Sequence, residues 1–170
     1  MTDTLVLAIG NTLMGDDAIG QAILEGLQGF TFAPEVAFLD GGTQGLYLLP
    51  CLESVCRLLI LDATDDPPGT VSFWRQDEVP RRLHAKKLSA HDVVFDEVLA
   101  LAALMGQLPQ ELALVGVGME RLTLGAGLST AVQAAIPTAT AQALAALAGW
   151  GITARTRKEA GPCAAAFPCG

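Results

Sequence analysis

The sequence predicts an α/β protein, a three-layer α/β/α sandwich around a mainly parallel or mixed, twisted sheet of about five strands. Three observations carry that expectation. Short, almost wholly apolar runs end at glycine or aspartate, as strands buried on both faces do. Segments of helical spacing separate those runs, the alternation expected of parallel strands joined by crossovers. Of the 170 residues, 51% are hydrophobic and only 16% charged, enough apolar material for a sheet covered on both sides.

The elements follow in order. "TLVLAI" (4–9) is a short apolar strand that stops at Gly10. In "AIGQAILEGLQGF" (18–30), Ile19, Ala22, Ile23, Leu27 and Phe30 recur at the spacing of an amphipathic helix. "EVAFLD" (35–40) is the second strand, "QGLYLLPCL" (44–52) a short helix, and "RLLILDA" (57–63) the third strand. "GTVSFWR" (69–75) alternates after a Pro-Pro-Gly turn, which suggests a strand at or near an edge. "HDVVFDEVLALAALM" (91–105) is a helix, "ELALVGVG" (111–118) a strand, and 129–148 the last helix. No repeat or internal boundary is visible, so residues 1–150 form a single domain. Residues 151–170 turn to Gly, Ala, Pro and local positive charge and are expected to be a flexible tail.

Composition excludes several functions. Ten basic residues against eighteen acidic ones give a net charge of −8, the wrong sign for binding nucleic acid through phosphate neutralisation. The start, "MTDTLVLAIGN", has Asp3 where a secretory signal would be basic, and its apolar run breaks at Gly10. Residues 122–154 carry no charge, yet they are rich in Ala, Thr and Gln with Pro137 inside. A buried helix fits them better than membrane insertion. A cytoplasmic location is expected. Cys51, Cys56, Cys163 and Cys169 lack the spacing of zinc or redox motifs and are expected to be free thiols.

Sheets of this kind bind ligands beyond the carboxyl ends of their strands. Past the first strand come Gly10, Asn11 and the pair Asp16–Asp17. Past the second comes "DGGT", Asp40, Gly41, Gly42 and Thr43. The third ends at Asp62, and His91 opens the following helix with Ser89 as its N-cap. Two carboxylates and an imidazole, Asp17, Asp62 and His91, could hold a divalent first-row metal with open positions. Each also has a plainer reading. An aspartate can cap a helix, "DGGT" can be a tight turn, and His91 can be a first-turn helix residue. A dinucleotide loop is excluded because Thr12 stands where the second glycine of G-x-G-x-x-G is needed. A receiver-type signalling module requires a lysine after its last strand, where this chain has only Arg121.

The segments "AIGNTLMGDDAIG" (8–20), "DGGTQG" (40–45), "LILDA" (59–63), "KLSAHDV" (87–93) and "LVGVGME" (114–120) resemble, in order and spacing, the nickel-iron hydrogenase maturation endopeptidases. The "DGGT" form is similar to the branch serving uptake hydrogenases. The resemblance implies an endopeptidase that removes the C-terminal extension of the hydrogenase large-subunit precursor after nickel insertion. It places the metal-contacting and catalytic roles on Asp17, Asp62 and His91, and substrate contacts on Asp40, Gly41, Gly42 and Thr43. Nickel is expected to arrive with the precursor, and other divalent metals to enter the site in isolation. Asp16 is expected to cap or orient its turn. The competing reading is a non-catalytic metal-binding or receiver-like module using the same acidic crevice.

Overall fold

Successive side chains on a strand point to opposite faces of the sheet, and here both faces are apolar. The structure, a computed structural model, describes residues 3–85 and 90–157, with the side chains of 84–94 outside that description. In chain order the elements are β1 (Thr4–Ile9), a 3-10 turn (Gly15–Ala18), α1 (Ile19–Leu27), β2 (Phe30–Ala33) and β3 (Ala37–Gly42). A second 3-10 turn (Gly45–Leu48) runs into the single-turn α2 (Leu49–Leu52). Then come β4 (Arg57–Thr64), β5 (Val71–Arg75), α3 (Glu78–Ala85), α4 (Ala90–Leu104), β6 (Glu111–Gly118), α5 (Thr130–Gly149) and β7 (Thr153–Thr156).

Five strands form one sheet in the order β3-β1-β4-β6-β5. The first four are mutually parallel, and β5 closes the edge antiparallel to β6. One face carries Val6, Ala8, Leu59, Leu61, Val115 and Val117 against α1 and α5. The other carries Leu5, Leu7, Leu58, Ile60, Leu112 and Leu114 against α2, α3 and α4. That is the expected three-layer sandwich. The alternation also places Asp62, two residues on from Ile60, on the α4 face.

The two helical layers are built differently. Buried positions of α5 are mostly alanine, Ala135, Ala139, Ala143 and Ala146, so that helix packs close to its neighbours. It is also the one helix among the described residues long and apolar enough to cross a membrane by length and composition, and its buried face belongs to the core.

The last helix does not end the fold. The expected tail begins at 151, but Gly151 takes φ +79° and the Gly151 and Ile152 N–H groups donate back to Ala148 O (2.9 Å) and Leu147 O (3.1 Å). This closing motif caps the helix with a left-handed glycine. Ile152 is buried, and β7 pairs antiparallel with β2 from Phe30↔Thr156 to Ala33↔Thr153. The folded region therefore extends at least to Arg157. The backbone ladder and the burial of Ile152 hold a segment whose side-chain pattern announces no strand. The rest of the expected tail, with Cys163 and Cys169, lies outside the described residues. Cys51 and Cys56 are free and exposed.

Candidate active site

Glycine makes the β1–α1 turn possible. Gly10 has φ +133°, and a Cβ there would lie 1.9 Å from the Asp17 carbonyl oxygen. Ten residues on, a Cβ at Gly20 would lie 2.6 Å from the carbonyl oxygens of both Ile9 and Leu61. Only with these two glycines can α1 settle onto the ends of β1 and β4. Leu61 immediately precedes Asp62, so Asp17 and Asp62 are held at the ends of adjacent strands. Both are buried.

Asp17 accepts a hydrogen bond from the Asn11 N–H at 2.7 Å. The Asn11 side chain accepts from the Leu13 N–H at 3.0 Å, which shapes the loop between them. Asp62 accepts from the Ala63 N–H at 2.8 Å.

Of the two tasks expected of Asp16, capping is not the one it performs. No side chain caps the 3-10 turn or α1. Asp16 instead reaches the loop after β6. It accepts from the N–H groups of Glu120 (2.9 Å), Arg121 (3.0 Å) and Ser129 (2.5 Å), and from the Ser129 hydroxyl at 2.9 Å. Its own N–H donates to Arg121 O at 3.2 Å. Ser129 is the N-cap of α5, so Asp16 joins the start of that helix to the β1–α1 turn. Burial pushes its carboxyl upward, but these four donors more than offset that and hold it below the ordinary value.

The "DGGT" segment ends β3 in an irregularity, with Ala8 opposite Asp40 and Ile9 opposite Gly42. Gly41 is the extra residue, packed so that a Cβ would lie 2.8 Å from Leu7 Cδ1 and 3.1 Å from Ala8 O. The exposed Asp40 accepts from the Gly42 N–H and from Gln21 Nε2, both at 3.0 Å. Gln21 Nε2 also donates to Gly10 O at 3.0 Å. The buried Gln21 thus ties the ends of β1 and β3 together. Sequence reasoning missed it. Its only signal is a polar residue in the first turn of α1, between the buried Ile19 and Ile23.

On the other side of Asp62, Arg82 of α3 pairs with Asp65 and Asp66, the latter at 3.1 Å, and lies 5.0 Å from the centroid of the Trp74 ring. This cluster fixes α3 to the end of β4. His91 falls in the first turn of α4, on the face to which Asp62 points, but its side chain and the proposed Ser89 cap lie outside the described residues. Among the described residues, no three His, Cys, Asp or Glu side chains gather to hold a metal.

The family model for hydrogenase maturation protease matches residues 22–146. The hydrogenase expression/formation protein HoxM of Cupriavidus necator is 42% identical over 151 residues, covering 86% of this chain and 75% of the relative. This chain belongs to the hydrogenase maturation protease family. The hydrogenase 2 maturation protease of Escherichia coli is 40% identical to this protease over 158 residues, 91% of this chain and 96% of the relative. Its fold matches that of the hydrogenase maturating endopeptidase HybD from E. coli with a TM-score of 0.86 at 39% identity, covering 94% of this chain and 99% of that one. The [NiFe] hydrogenase maturation protease HybD of Thermococcus kodakarensis follows at a TM-score of 0.67 and 30% identity, with 84% and 97% covered. Membership makes the protease a hydrolase and sets aside the receiver-like and non-catalytic readings.

Proposed function

We propose that this protease acts in the cytoplasm on the large-subunit precursor of a [NiFe] hydrogenase and removes its C-terminal extension once nickel is in place. The observation that carries the proposal is the pair of buried carboxylates, Asp17 and Asp62, beyond the end of β1 and near the end of β4. Buried carboxylates are unfavourable unless hydrogen bonds, charges or a metal compensate them. Nickel is part of the substrate in this scheme. Two carboxylates and the His91 imidazole are donors that suit a divalent first-row metal, and three protein ligands leave it room for its precursor ligands.

Docking of the nickel-bearing precursor onto Asp17, Asp62 and His91 places the scissile bond over the crevice. There a carboxylate of the pair takes a proton from the attacking water. Asp40, Gly41, Gly42 and Thr43 form the β3 side of the approach, where Gly42 lets substrate backbone come close and Gly41 packs beneath it against Leu7. A precursor without nickel lacks the atom that positions its tail, so cleavage waits for metal insertion.

The test compares precursor made with and without nickel, alongside metal analysis of the isolated protease. The expected result is cleavage of the loaded precursor only, by a protein holding little metal or whatever divalent cation the buffer supplies. Stoichiometric, tightly held zinc with equal cutting of both precursors would overturn the proposal.

A further inference from the structure

Among the described residues, eight large hydrophobic side chains are exposed, and they fall into two groups at opposite ends of the sheet. Leu101, Leu104, Met105 and Leu108 lie at the amino end, where α4 runs out before β6. The others stand on loops at the carboxyl end, around the crevice: Leu13 (63% exposed) after β1, Leu46 (51%) and Tyr47 (85%) after β3, and Leu124 (73%) after β6.

The loops that carry the second group are firmly held. The Gly125 N–H donates to Leu13 O at 2.8 Å, so Leu13 and Leu124 sit on touching loops, and Asp16 anchors both strands of that contact. On the other side, the Gln44 N–H donates to Gly41 O at 3.0 Å and the Tyr47 N–H to Gln44 O at 3.3 Å. That turn sends Leu48 into the core and leaves Leu46 and Tyr47 outside. Leu46 and Tyr47 follow the edge strand β3, and Leu124 follows β6 on the far side of β4, with the Gly125–Leu13 bond drawing Leu13 across to it. Apolar side chains held in water by rigid backbone, flanking a site, mark a binding surface.

We propose that these two apolar ledges grip the precursor on either side of the crevice. The inference rests on the proposed processing of a hydrogenase precursor. Between the ledges lie the ends of β1 and β4 with Asp17 and Asp62, in a chain of net charge −8. The occupant that fits is an extended segment of the precursor with apolar side chains flanking its cleavage point and no acidic residues between them. The ledges supply affinity, and the carboxylates between them supply the chemistry.

The experiment measures steady-state cleavage of nickel-loaded precursor by two double variants, Leu13→Gln with Leu124→Gln and Leu46→Gln with Tyr47→Gln. KM should rise tenfold or more in each while kcat stays within twofold and Tm is unchanged. Leu13→Met with Leu124→Met should keep KM near the wild-type value, because apolar surface and not a particular shape is what the ledge offers. Leu104→Gln with Met105→Gln, at the far end, should also leave KM unaltered. If a glutamine variant does not fold, Tyr47→Ser is read in its place. An unchanged KM in the ledge variants, a fall in kcat alone, or an equal rise in KM from the Leu104 and Met105 pair would overturn the inference. A wild-type protein that leaves the precursor uncut would defeat the proposed function instead, so the two failures are distinct.

Discussion

The β1–α1 turn has two sides, occupied by neighbouring aspartates that the fold uses in opposite ways. On one side Asp16 accepts hydrogen bonds from Glu120, Arg121 and Ser129, more than a hundred residues away in the chain. On the other, Asp17 accepts from Asn11, six residues away, and faces the ends of β1 and β4. Both side chains are buried. Burial therefore does not tell the two apart. Reach does: Asp16 fastens the turn to a distant loop, and the bond from Asn11 ties Asp17 into the local loop beside the crevice.

The sharpest test of that contrast is on the Asp17 side. Asp17→Ala and Asp62→Ala should each lower precursor processing by about 10²–10⁴-fold, the range for loss of a positioned acid-base group. Thermal unfolding should show no loss of fold, and His91→Ala should behave alike. Normal processing by any two of the three would remove the functional half of the comparison. On the other side, Asp16→Ala orphans the buried N–H and hydroxyl of Ser129 and two partly buried N–H groups, and should cost about 3 kcal/mol in urea unfolding at neutral pH. A loss no larger than that of Asp17→Ala would erase the distinction between the two sides.

Gly10→Ala tests the hinge between the sides. Its Cβ would run into the Asp17 carbonyl, and such overpacking should cost about 1–3 kcal/mol, with activity falling alongside. Unaltered stability would show that the turn can move without penalty. The smallest effect concerns pH. The Asp16 carboxyl sits below its ordinary value of 3.8 in the folded state, so its contribution is present above 3.8 and is lost as pH falls through the lowered value. The stability gap between wild type and Asp16→Asn, open at pH 7, should close in that acid range. A gap of constant width from pH 7 to pH 2 would contradict this account.

Much of the fold is legible because parallel strands buried on both faces leave continuous apolar runs. "TLVLAI", "RLLILDA" and "ELALVGVG" could hardly be anything else, and the alternating "GTVSFWR" reads as the edge strand that it is. What escapes is held by partners rather than by pattern. β7 reads "TART", with no apolar run, and is a strand only because β2 lies beside it, though Gly151 after the last helix already signals a capped turn. α3 is polar and contains Pro80, and it is fastened by Arg82 to Asp65 and Asp66. At the site, the strand-end rule finds Asp17, Asp62 and "DGGT" because topology alone puts them there. The task of Asp16 is hidden, since its partner Ser129 lies 113 residues away.

The pairing of the sheet has a consequence for how the protein comes into being. Every neighbouring pair in the five-stranded sheet joins residues more than thirty positions apart, and β2 waits over a hundred residues for β7. Chains dominated by such distant pairings fold slowly, because loop closure must precede the contacts that reward it. During synthesis, Asp17 emerges long before Asp62, and α1 cannot be clasped from behind until Ser129 has left the ribosome. No short stretch carries the active arrangement by itself. A nascent chain should therefore be unable to cut, with that capacity appearing in one late step, when the first turn and the last helix meet.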